Sequence, residues 1–135
     1  MRSLARENMY KLAFSFEFTR EFAEHSLQEF CEDVTLEESD IAYLKNFYYL
    51  YFQNYDTLLQ KLKDNLVEKN FERIYKSDVV VLLCAICEID FVKTPKKVAI
   101  NEAVNIAKKY GAGDSGRFAN GILGTIYGDI NGENN

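Results

Sequence analysis

The chain has no tryptophan, one proline, one histidine, three cysteines and seven glycines in 135 residues. So few breakers argue against a sandwich or barrel of short strands, which needs turn residues at frequent intervals. It also lacks an apolar run of the ~18 residues that a membrane helix requires. The N-terminus carries Arg2 and Arg6 but also Glu7, Asn8 and Lys11, without the apolar core or small-residue cleavage site of a secretory leader. A cytoplasmic protein with no membrane contact is expected. The odd cysteine number agrees with a reducing compartment, because a chain of this length folds without disulfide staples.

Catalytic apparatus is equally scarce. His25 lies in a polar stretch with no evident partner, so it reads as a surface residue. Cys84-Ala85-Ile86-Cys87 has C-x-x-C spacing, yet a zinc site needs four ligands and only Cys31 and His25 remain as candidates. The pair also sits inside an apolar run, where a thiol packs as a small hydrophobe rather than a nucleophile. Gly111-Ala112-Gly113-Asp114-Ser115-Gly116 lacks the preceding strand and the lysine of a phosphate-binding loop. The expectation is a non-enzyme with no cofactor and no metal.

What is present is helical periodicity. Ala5, Met9, Leu12, Ala13 and Phe16 mark a first helix from Ser3 to Phe18, and Arg2, Arg6 and Tyr10 form a row along its edge. A short helix is expected over Leu27 to Glu32. Thr35-Leu36-Glu37-Glu38 has the form of a capping box opening the next helix. That helix carries the aromatic stretch Phe47-Tyr48-Tyr49-Leu50-Tyr51-Phe52, and a further helix spans Thr57 to Glu68. Burial between neighbours explains most of the aromatics, and a homodimer surface would explain the remainder.

Val79 to Cys87 reads as a central buried helix starting near Ser77 or Asp78. After Pro95 comes a helix with Ile100, Ala103, Val104 and Ala107 inward, ending at Gly111. Asp114 or Ser115 then caps a last helix reaching about Tyr127. Gly121 and Gly124 within it imply close approach of another helix. Together these give one all-α domain over residues 1–130, with a disordered tail from Asn131 to Asn135.

The net charge of -5 is unevenly spread. Residues 1–20 balance at +2, residues 21–92 at -9 and residues 93–117 at +4, the last through Lys93, Lys96, Lys97, Lys108, Lys109 and Arg117. Two basic segments flanking an acidic middle fit either a local nucleic-acid patch or scattered surface lysines.

Several blocks carry a resemblance. Pro95-Lys96-Lys97-Val98-Ala99-Ile100-Asn101-Glu102-Ala103, Ala107-Lys108-Lys109-Tyr110-Gly111 and Asp114-Ser115-Gly116-Arg117-Phe118-Ala119-Asn120-Gly121-Ile122-Leu123 resemble the NusB family, as does Ala5-Arg6-Glu7. The resemblance implies a compact fold of about seven helices in two small bundles. It implies binding to single-stranded boxA leader RNA of ribosomal operons together with NusE, a small-subunit ribosomal protein. Through that complex RNA polymerase would resist termination. It places Arg2, Arg6 and Tyr10 of the first helix, and Lys108, Asp114, Ser115, Arg117 and Phe118 around the start of the last, against RNA. Asp78, with Phe14 and Leu82, would face NusE. Two other readings stand beside it: a helical adaptor without RNA contact, and a piece related to the N-terminal domain of ribosomal-RNA cytosine methyltransferases.

Overall fold

A computed structural model describes residues 1–66 and 71–128. Six α-helices account for most of them: α1 Arg2–Thr19, α2 Glu24–Cys31, α3 Glu38–Asp64, α4 Lys76–Cys87, α5 Lys96–Tyr110 and α6 Ser115–Tyr127. A 3-10 turn at Phe71–Arg73 precedes α4, and a π-turn at Glu88–Val92 extends it. No strand occurs among the described residues. The expected tail, and the end of the helix expected to reach Glu68, lie outside them.

α4 is the hub. It packs against α1, α3, α5 and α6, which is why its residues from Val79 to Cys87 are apolar on nearly every side. One helical group is α1, α2 and α3, the other is α5 and α6, and α4 runs between them. The core includes Met9, Leu12, Leu44, Tyr48, Tyr51, Leu82, Leu83 and Ile86, each at most 1% exposed. Of the aromatic stretch, Phe47, Tyr48 and Tyr51 are interior, while Tyr49 and Phe52 remain 53% and 40% exposed.

Three local expectations are corrected. The two helices anticipated on either side of Asp56 are one 27-residue helix, because no glycine or proline interrupts Tyr55, Leu58 and Leu62 on the buried face. The capping box at Thr35 does not form: α3 opens at Glu37 without a side-chain cap. Asp33 Oδ1 instead accepts from the Thr35 amide at 2.9 Å and hydroxyl at 2.7 Å, folding the segment into a local turn. Nor do Gly121 and Gly124 admit another helix, since a Cβ added at either would meet nothing within 4 Å among the described residues. Gly121 is exposed in the middle of α6, so Gly121→Ala should raise stability by about 0.5–1 kcal/mol. Urea denaturation of the two proteins would measure this, and a loss on substitution would point to a neighbour at that position.

Glycine is required at the α5–α6 corner. A Cβ at Gly111 would lie 2.4 Å from Ser115 Oγ and 2.7 Å from the Ala107 carbonyl oxygen. The absence of a side chain lets the Ala112 amide donate to Ser115 Oγ at 2.8 Å and start α6 within a few residues. The π-turn fixes the other end of α4. Its Glu88 side chain points toward α1, while Asp90 accepts from Lys61 Nζ at 2.6 Å and from the Tyr127 hydroxyl at 3.0 Å. Lys93 then reverses the chain in the left-handed region at φ 73°.

Candidate nucleic-acid interface

Arg2, Arg6, Tyr10, Phe14 and Phe18 follow one another every fourth residue and form a single row down α1. The row enters the protein and emerges again. Arg2 Nε donates to Asp40 Oδ1 at 3.0 Å, and its guanidinium lies 4.0 Å above the Tyr43 ring. Arg6 is only 9% exposed. Its Nε donates to Glu88 Oε2 at 2.7 Å, its Nη2 to the Tyr43 hydroxyl at 3.3 Å, and Glu102 stands 3.7 Å away. Glu88 also accepts from the Tyr43 and Thr94 hydroxyls. Burial pushes the Glu88 carboxyl above the usual carboxylate range, and the Arg6 charge opposes that rise.

Tyr10 is buried as well, stacked on Tyr110 at 5.2 Å and on Phe14 at 6.1 Å. Burial raises its phenol to about 12. Phe14 is half-buried and meets the exposed Phe18 edge-on at 5.1 Å. The expected RNA row therefore presents Arg2 at one end and aromatic rings at the other. In this conformation Arg6 and Tyr10 support the surface from beneath.

The start of α6 is more open. Arg117 and Asp114 are exposed, and Phe118 is half-buried beside them. Asp114 occupies the position before the helix but its carboxylate makes no capping bond; its backbone carbonyl accepts from the Phe118 amide at 3.0 Å. Ser115 is 1% exposed and spends its hydroxyl on the Ala112 amide, so it shapes the corner and does not face outward. The Lys108 stem crosses Gly116, where a Cβ would fall 2.7 Å from Lys108 Cγ, and thereby extends an exposed lysine beside Arg117's helix. Lys108 and Arg117 make no ion pair among the described residues.

An open groove joins this helix start to the start of α4. Arg73, Ile74, Tyr75, Asp78, Asp114 and Phe118 line it. Asp78 is 9% exposed, and its Oδ1 is buried without a hydrogen-bond partner among the described residues. The fold thus brings Asp78, assigned by resemblance to the protein partner, together with Asp114 and Phe118, assigned to RNA. Leu82 does not join them: at 0% exposure one turn further along α4 it belongs to the core.

Sequence reasoning missed Tyr43, Glu88 and Glu102 around Arg6, and Arg73 and Tyr75 in the groove. Only Glu88 left a trace, as a carboxylate set between the apolar residues Cys87 and Ile89, since a buried carboxylate is almost always paired. The cysteines behave as packing residues. Cys87 is buried and its thiol pushed up to about 12, and burial pushes Cys84 well up also. His25 is exposed. Among the described residues no helix is long and apolar enough to cross a membrane.

Comparison with known proteins identifies the family of this fold. Residues 2–128 match the NusB family. The chain is 32% identical to the transcription antitermination protein NusB of Finegoldia magna, over 93% of this chain and 92% of that one. A solved T. maritima NusB structure superposes with a TM-score of 0.83 at 32% identity, covering 93% of this chain and 89% of the other. A complex of the antitermination factors NusB and NusE with double-stranded RNA shares the fold, with a TM-score of 0.81 at 20% identity over 93% and 95%. The chain belongs to the NusB family.

Proposed function

We propose that this protein is a cytoplasmic, non-enzymatic RNA-binding factor of transcription antitermination. It binds boxA-type leader RNA of ribosomal operons together with NusE and so helps RNA polymerase resist termination. The observation that carries the RNA half is the α6 start. There two cations without an ion pair among the described residues, Lys108 and Arg117, flank a half-exposed phenylalanine beside the groove. Cations there meet phosphates, and the Phe118 ring offers a face on which an unpaired base stacks. The NusE half is supported by family membership and by the Asp78 carboxylate at the groove, one of whose oxygens has no partner among the described residues and which suits a basic ribosomal protein. Arg6 and Tyr10 act by holding α1 in place, and Leu82 by filling the core below Asp78.

A titration of single-stranded boxA RNA, with and without NusE and across a salt series, tests the proposal. Arg117→Ala should weaken binding and flatten the dependence of log affinity on log salt by roughly 0.7. Phe118→Ala should cost about 1–3 kcal/mol of stacking at nearly unchanged slope. Duplex RNA of the same sequence should bind less well, since its bases are already stacked. Parent-like binding by both variants at equal stability would place the RNA surface elsewhere. No salt-sensitive RNA binding by the parent, with NusE still bound, would favour the protein-only adaptor, which the acidic side chains of the groove also fit.

A further inference from the structure

The basic path across α1, α5 and α6 carries its own counter-charges. Arg2 is held by Asp40, Arg6 by Glu88 and Lys109 by Glu7. Glu88 is deeply buried at 3% exposure, so Arg6 cannot be given up without stranding a charge in the core, while Arg2 shares Asp40 with the Met1 ammonium, which lies 2.7 Å from Oδ2. The third pair differs. The Lys109 side chain is 57% exposed and that of Glu7 25%. Both Glu7 oxygens lie near Lys109 Nζ, at 3.0 and 3.1 Å, and the Tyr110 hydroxyl donates to Oε1 at 3.0 Å. Burial works against the Glu7 charge, yet the bonds from Lys109 and Tyr110 hold its carboxyl below the usual range.

This carboxylate takes from Lys109 and Tyr110 the donors that two non-bridging oxygens of one phosphate would take. On the RNA-binding reading above, we infer that Glu7 is an internal competitor for RNA at Lys109, exchanged for a phosphate when RNA binds. The chemistry is a like-for-like swap of anions on one ammonium and one phenol. Because the pair is exposed, the swap attenuates affinity without blocking it. Lys109 then contributes less than a free lysine, and the exchange falls on the α1 side of the path, one residue from Arg6. Glu7 thereby sets how strongly the protein holds any RNA backbone, leaving discrimination to the groove.

Glu7→Gln keeps the shape and an acceptor for Tyr110 while removing the charge. Measured by fluorescence titration with boxA RNA in the presence of NusE, it should bind about two- to fivefold tighter than the parent. Its salt dependence should steepen by up to about 0.7 in slope, as Lys109 now neutralises a phosphate. In a Lys109→Gln background the same substitution should bring almost no gain. Glu21→Gln, which removes an equal charge beyond the far end of α1, should change affinity little. A parent-like or weaker Glu7→Gln protein would overturn the inference and leave Glu7 as a strut between α1 and α5. Equal tightening by Glu21→Gln would overturn it too, as an effect of net charge. If neither parent nor variants bind RNA, the functional reading fails and this one with it.

Discussion

Arg6→Ala should lose about 3–5 kcal/mol of folding stability at neutral pH, because it leaves Glu88 as an uncompensated charge in the core. The guanidinium is 9% exposed and the carboxylate 3%. Tyr43 and Thr94 still donate to Glu88 after the change, but neither carries charge. The pH dependence identifies the mechanism. Burial raises the Glu88 carboxyl above its unfolded value, so its contribution is fully present below the unfolded value and is lost as pH rises through the folded one. Removing Arg6 raises the folded value further. The stability gap between parent and variant should therefore shrink on acidification, where Glu88 is protonated in both folded proteins. Urea unfolding at neutral and mildly acidic pH measures both effects. Replacing both partners by apolar residues, Arg6→Met with Glu88→Leu, should recover most of the loss. A stable Arg6→Ala protein with a flattened salt dependence for RNA would instead make Arg6 a phosphate contact.

Leu82→Ala should cost about 2–5 kcal/mol, the range for truncating a fully buried leucine beside neighbours that cannot close the gap. Leu82 is 0% exposed on a helix that packs against four others. Leu82→Met keeps the volume and should stay within about 1.5 kcal/mol of the parent. Phe14 provides the contrast: half-buried at the aromatic end of the α1 row, it can be truncated at lower cost to the fold. Thermal denaturation of the three variants, paired with NusE titration, separates the roles. If Leu82→Ala folds as stably as the parent but no longer binds NusE, then α4 must open on its partner, and its assignment to the core is mistaken.

The helices were legible wherever one signal acted alone. The apolar run of α4, the proline ahead of α5 and the glycine behind it each located an element. Boundaries failed where two local options competed. Asp33 captured Thr35 before it could cap α3, and no residue near Asp56 was strong enough to end that helix. The site was less legible than the fold. Spacing correctly put Arg2, Arg6 and Tyr10 in one row, but whether a row faces water depends on what covers it. Arg6 meets a carboxylate 82 positions away, and Tyr10 is covered by Tyr110. Neither meeting has a sequence period. Near the C-terminus Arg117 and Asp114 are exposed as expected, because they lie at a helix start that little else overlies, whereas Ser115 between them is buried.

The π-turn at Glu88–Val92 makes chain length itself a fixed quantity at that point. Such a turn amounts to one residue inserted into an α-helix. Deleting a single residue there would let the helix close normally and rotate everything after it by about 100°, one residue's worth of a 3.6-residue turn. Asp90 would leave Lys61 and Tyr127, and Thr94 would leave Glu88. One small deletion would thus loosen the grip on α1 and on the end of α6 together. The turn between α2 and α3 holds no comparable double anchor, so the loss of one residue there should disturb the fold less.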